Sequence, residues 1–122
     1  MTKSKGGWRR GDIILVSFPF TDLRGKKTRP ALVISSFGND FIIVGIFTLK
    51  PAFRKLRPTW LFIEDDGSKF FKQTGLKKTS ILKAEKITVV HHSIIQKKLG
   101  KVSDEFMGKV ELALKKALQF KN

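Results

Sequence analysis

RGDIILVSFPFTDLRGKKTRPALVISS, Arg10–Ser36, is the stretch from which the fold can be read. Two apolar segments, Asp12–Phe18 and Pro30–Ser36, flank a polar basic loop, the pattern of a strand pair. The loop closes on Thr28-Arg29-Pro30, which puts an arginine at the mouth of the second strand. Proline at the first position of a strand removes no ladder hydrogen bond. A guanidinium mounted there is planar, permanently charged and shaped to hold phosphate.

Downstream, FIIVGIFT at Phe41–Thr48 predicts a central strand buried on both faces, with turn chemistry in Gly38-Asn39-Asp40 before it. Trp60–Glu64 reads as a fourth strand ended by Asp65-Asp66-Gly67, and 66–73 as a single helical turn. Ser80–Lys83 and Ile87–Val90 read as two further short strands, and Ser93–Lys98 as a turn ended by Gly100. Phe106, Val110, Ala113, Leu114, Ala117 and Leu118 recur at three- and four-residue spacing, which predicts an amphipathic helix. Ser103 is its expected N-cap, and Asp104 and Glu105 suit the positive end of the helix dipole. Short strands with few helices predict a mainly β (α+β) fold: a small SH3-like barrel with the C-terminal helix packed on it.

At 122 residues the chain is one domain, read as a flexible basic arm over 1–9 and a folded unit over 10–122. There is no cysteine, hence no disulfide or thiolate chemistry. No apolar run reaches the length of a membrane span, and MTKSKGG lacks the apolar core of a signal peptide. A cytoplasmic protein with no membrane association is the expectation. The charge is the strongest compositional signal: 25 Lys+Arg against 10 Asp+Glu, a formal +15, which asks for a polyanionic partner. The cations cluster as Arg24, Lys26, Lys27 and Arg29; as Lys50, Arg54, Lys55 and Arg57; and as Lys69, Lys72, Lys77 and Lys78. On one rim of a small barrel these would make a continuous positive groove.

His91 and His92 are adjacent and point apart, and no His/Cys/Asp cluster has ligand spacing, so neither a metal nor a cofactor is expected. Most of the 11 Phe are expected in the core; of Phe20, Phe53, Phe70 and Phe71, which lie in or beside basic segments, one or two could stack on unpaired bases, or the same loops bury an apolar strip of a partner chain. Asp12 is expected to satisfy backbone N–H groups at the start of the first strand.

Arg10-Gly11-Asp12, Phe18-Pro19-Phe20 and Lys27–Ser35, followed in order by Ile46-Phe47-Thr48, Arg57–Trp60, Thr79–Val89 and Leu99–Met107, resemble the MazF/PemK/Kid family. These are endoribonuclease toxins of type II toxin–antitoxin systems. The resemblance runs from about Arg10 to Phe120. It implies metal-independent, sequence-selective cleavage of single-stranded RNA (mRNA) by the RNA's own 2′-OH. It also implies a homodimer and an acidic antitoxin protein that covers the same basic groove.

By the same resemblance Arg29 is the principal catalytic residue and Thr48 the catalytic threonine, although β-propensity alone also explains a strand threonine. Glu85 matches an acid of some members and is the candidate general base, with Lys83 beside it on one face if KAEK is extended. Arg24, Lys26, Lys27, Phe20, Lys50, Arg54, Lys55, Lys77, Lys78 and Lys83 are the candidate RNA contacts. The chain departs from the family where Leu23–Lys27 carries no acid, where Ser17 replaces an aspartate, and where Lys86 replaces a glutamine. Two other readings remain: a non-catalytic nucleic-acid-binding barrel, and a gyrase-directed toxin acting through the C-terminal helix.

Overall fold

The computed structural model describes residues 7–19, 26–50 and 57–121. Phe20, Arg24, Phe53, Arg54 and Lys55 lie outside these residues. Six strands form one sheet: β1 (Asp12–Pro19), β2 (Lys26–Phe37), β3 (Asp40–Thr48), β4 (Trp60–Ile63), β5 (Ser80–His91) and β6 (Ile95–Lys101). The α-helices are α1 (Lys69–Thr74) and α2 (Asp104–Ala117), and a single 3-10 turn, His92–Ile94, joins β5 to β6. All strand pairings are antiparallel, in the spatial order β4-β5-β3-β2-β1-β6. The fold is mainly β with α2 packed on the sheet, as expected; β4 and β6 stand at opposite ends of the strand order, so the barrel is not closed.

The sheet buries both faces because its central strands carry apolar side chains at successive positions. On one face Ile13, Leu32, Val44, Ile46 and Leu82 meet Phe106, Met107 and Val110 of α2 and Phe71 of α1. On the other, Ile14, Val16, Ala31, Val33, Phe41 and Ile43 pack with Val90 and Ile95. Trp8 covers this second cluster, its ring edge-on to Phe41 at 5.7 Å. Ser103 caps α2 by accepting from the Phe106 N–H at 3.1 Å. Asp12 is buried, accepts from the Arg9 N–H at 2.9 Å and pairs with Lys98 at 3.1 Å.

Three boundaries differ from the sequence reading. The second strand starts at Lys26, because the β1–β2 ladder continues to Pro19 opposite Lys26; Arg29 and Pro30 are therefore inside a strand, not at its mouth. The late pair of short strands is one strand, β5, interrupted by a bulge. Val44 faces Ile87 and Ile46 faces Leu82, so residues 83–86 lie opposite Gly45 alone. Of the segment read as a turn, Ser93 and Ile94 lie in the 3-10 turn, but the rest belongs to β6, pinned along β1 on one side and against α1 on the other.

Candidate active site

One row of side chains crosses four adjacent strands on the face that holds the second core cluster. Arg29 is opposite Val16 of that cluster, Gly45 is opposite Ala31, and Trp60 is opposite Lys83. Strand alternation then puts Arg29 (β2), Phe47 (β3), Lys83 (β5) and Trp60 (β4) side by side. The Lys83 ammonium is 4.7 Å from the Phe47 ring centroid and 4.6 Å from that of Trp60. The Arg29 guanidinium stands 5.7 Å from Phe47, and that of Arg57 stands 5.6 Å from Trp60. Cations and aromatic rings thus alternate along the row, each ring face offering negative potential to a cation.

Glu85 anchors one end. It accepts from Trp60 Nε1 at 2.6 Å and from Thr59 Oγ1 at 2.7 Å. Burial would raise its pKa, but those two hydrogen bonds, aided by its own backbone N–H and the Arg57 charge, hold it below its ordinary 4.5. Burial pushes the Lys83 ammonium the other way, below its ordinary 10.5. Glu85 opposes that shift, and the charges of Lys86, Arg57 and Lys50 add to it. The site therefore holds an ionised carboxylate beside a lysine that gives up its proton more readily than a solvated one.

The structure brings together Arg29, Lys83 and Glu85 of the candidate residues. Lys27, exposed, precedes Arg29 by two positions on the same face, and Lys50 acts on Lys83 through its charge. Thr48 ends β3, exposed and opposite Ser80; alternation turns it to the face opposite Phe47. Lys77 and Lys78 are exposed just ahead of Ser80, whose hydroxyl donates to the Lys78 carbonyl at 2.9 Å. Lys26 opens β2.

The aromatic candidates change. Phe71 is buried in the first core cluster and Phe70 packs on Phe106 at 5.2 Å, so both serve the core. The rings beside the cations are Phe47 and Trp60, which lie within strands and not in the basic loops. Alternation from Ala31 and Gly45 was the signal that would have found Phe47. Among the described residues, no three His, Cys, Asp or Glu side chains gather closely enough to hold a metal ion. His91 and His92 do not point apart as expected: where β5 gives way to the following turn their rings lie tilted against each other with centroids 4.4 Å apart.

The profile of the PemK-like, MazF-like toxins of type II toxin–antitoxin systems matches residues 9–118. The chain belongs to that family. No curated protein sequence matches this toxin. Its fold is shared by a mycobacterial endoribonuclease solved in complex with its cognate antitoxin, at 22% identity over 94% of this chain and 98% of that one, TM-score 0.69. The Mycobacterium tuberculosis toxin MazF-mt6 aligns at 12% identity over 91% and 99%, TM-score 0.69. A MazE-MazF structure (Form-II) from Deinococcus radiodurans aligns at 14% identity over 93% and 97%, TM-score 0.68.

Proposed function

We propose that this toxin is a metal-independent, sequence-selective endoribonuclease that cleaves single-stranded RNA in the cytoplasm and so blocks translation. The row Arg29–Phe47–Lys83–Trp60 with Glu85 at its end carries the reading. It joins a permanent cation, a proton-yielding lysine and an ionised carboxylate on one sheet face, flanked by rings that suit unpaired bases. The endoribonuclease among its structural relatives supports the same assignment.

RNA carries its own nucleophile. Glu85 takes the proton from a 2′-OH, and the 2′-oxygen attacks the adjacent phosphorus. Arg29 neutralises charge growing on the phosphate oxygens. The P–O5′ bond breaks as Lys83 passes a proton to the departing oxygen, leaving a 2′,3′-cyclic phosphate and a 5′-OH. Thr48 ends β3 on the opposite face, so its hydroxyl would donate to a neighbouring backbone phosphate where the RNA passes the strand end and not to the reacting one. The partners are RNA, a second copy of the chain, and an acidic antitoxin whose carboxylates compete for the same cations.

The test is purified protein with a long single-stranded RNA in EDTA, beside Arg29→Ala and Thr48→Ala, with fragment ends mapped. Discrete cuts at a common short sequence are expected. Arg29→Ala should slow them roughly 10²–10³-fold with melting unchanged. RNA that is retarded on a gel but stays intact would leave a binding module in place of an enzyme.

A further inference from the structure

Beside Arg29 the bulge in β5 opens a cleft of about 330 Å³. Arg29, Phe47, Gly45, Lys86, Ile87 and Thr88 are among its lining residues. We propose that this cleft is a slot for one unpaired nucleobase of the bound RNA, with Phe47 and Arg29 as its stacking wall. The inference rests on the ribonuclease reading above and names a subsite within it.

The slot follows from how β3 and β5 separate. Four residues of β5, 83–86, lie opposite Gly45, so the ladder parts there and leaves a gap between strands. Gly45 makes room for the Phe47 ring at the floor of the gap: a Cβ on it would lie 2.9 Å from Phe47 Cε2 and 3.5 Å from Lys86 Cβ. The missing side chain is what lets the Phe47 ring lean over its own strand. Ile87, partly exposed, supplies apolar surface to the cleft, while Ile43 and Ile46 back it from the core. Arg29 and Lys86 bring positive charge to it, and the Thr88 hydroxyl is a donor and acceptor for a base edge.

An apolar cleft bounded by two cations suits a flat base joined to a phosphate, and a +15 chain selects an anionic occupant over a neutral one. Arg29 both lines the cleft and stands over the Phe47 ring, so a base entering there meets a planar guanidinium and an aromatic ring together. Its phosphate then lies within reach of the residue assigned to charge stabilisation. The base in the slot would thus be a nucleotide adjoining the cut, which makes Gly45 and Phe47 determinants of sequence preference.

The experiment measures binding of short, fluorescein-labelled single-stranded oligonucleotides that carry 2′-deoxyribose throughout, so no 2′-OH attack occurs. An abasic site is moved through each position in turn. The proteins are the wild type, Gly45→Val, whose side chain pushes the Phe47 ring from its place, and Phe47→Leu, which removes the ring; circular dichroism checks that each folds. With the wild type, one abasic position should weaken binding about tenfold or more, as loss of one stacked base does. With either folded variant the same change should cost less than about twofold. An abasic penalty that is uniform along the strand, or that survives in the variants, overturns the slot and leaves the cleft to an apolar side chain of a protein partner. Cleavage of the all-ribose sequence is followed separately. Its absence would remove the ribonuclease reading while the binding data still decide the slot.

Discussion

Glu85 shows how one side chain ties a site to stability. Both carboxylate oxygens accept a hydrogen bond, from Trp60 Nε1 and Thr59 Oγ1, and these favour the ionised form. The pKa is lowered on folding, so the folded state binds this proton less readily than the unfolded chain. The stability that results is full above the ordinary 4.5 and is lost as pH falls through the lowered folded value. Glu85→Gln should melt below the wild type at neutral pH, and the gap should close as pH drops below about 4.5. A gap that stays constant across that window would separate Glu85 from acid sensitivity. The opposite-signed group is Lys83: its acid role requires the proton, so cleavage should fall on the alkaline side as pH rises through its depressed pKa.

Two glycines decide how α1 meets β6. Gly75 ends α1 with φ +72° and accepts no side chain, because a Cβ there would lie 2.0 Å from the Leu99 carbonyl oxygen. A Cβ on Gly100 would lie 2.1 Å from the Gln73 carbonyl oxygen, again against backbone that cannot rotate away. Gly100→Ala should therefore destabilise by about 3 kcal/mol in urea unfolding, the upper part of the usual overpacking range. Gly108 is the contrasting case: it lies within α2 with nothing within 4 Å of a Cβ. Gly108→Ala should stabilise by about 0.5–1 kcal/mol through helix propensity and reduced unfolded-state entropy. If both changes had the same sign, the close approach of α1 to β6 would not be the cause.

The molecule is strongly basic, yet several large apolar side chains stand exposed among the described residues, Leu112, Leu118 and Phe120 near the C-terminus and Phe37 and Val89 on the sheet. Phe37 is 65% exposed and Val89 is 61% exposed. Phe37 pairs with Asp40 and Val89 with Ile42, so alternation puts these side chains on one face of the sheet. Exposed large apolar residues grouped in this way mark an association surface. As part of the proposed homodimer, this face should close on its copy: sedimentation should give a dimer for the wild type and a monomer for Val89→Asp. A dimer that survives Val89→Asp would move the interface elsewhere. The net charge works at longer range, drawing a polyanion to the sheet face from any direction and making the encounter salt-dependent.

The sequence by itself determined what its local periodicities encode. Alternation and apolar runs marked β1, β3 and β4, and the three- and four-residue spacing marked α2 with its Ser103 cap, because each needs only neighbours along the chain. Arg29 and Glu85 were singled out as candidates by their motif contexts, and the +15 charge was read from composition. Tertiary structure decided the rest. β6 carries little alternation and exists because β1 supplies its hydrogen bonds and α1 its cover. The β5 bulge breaks the two-residue period that would have announced one strand. Phe47, Lys83 and Trp60 come from three strands separate in sequence, and only the order β4-β5-β3-β2 sets them side by side. Contacts between strands depend on register, and register is a property of the assembled sheet.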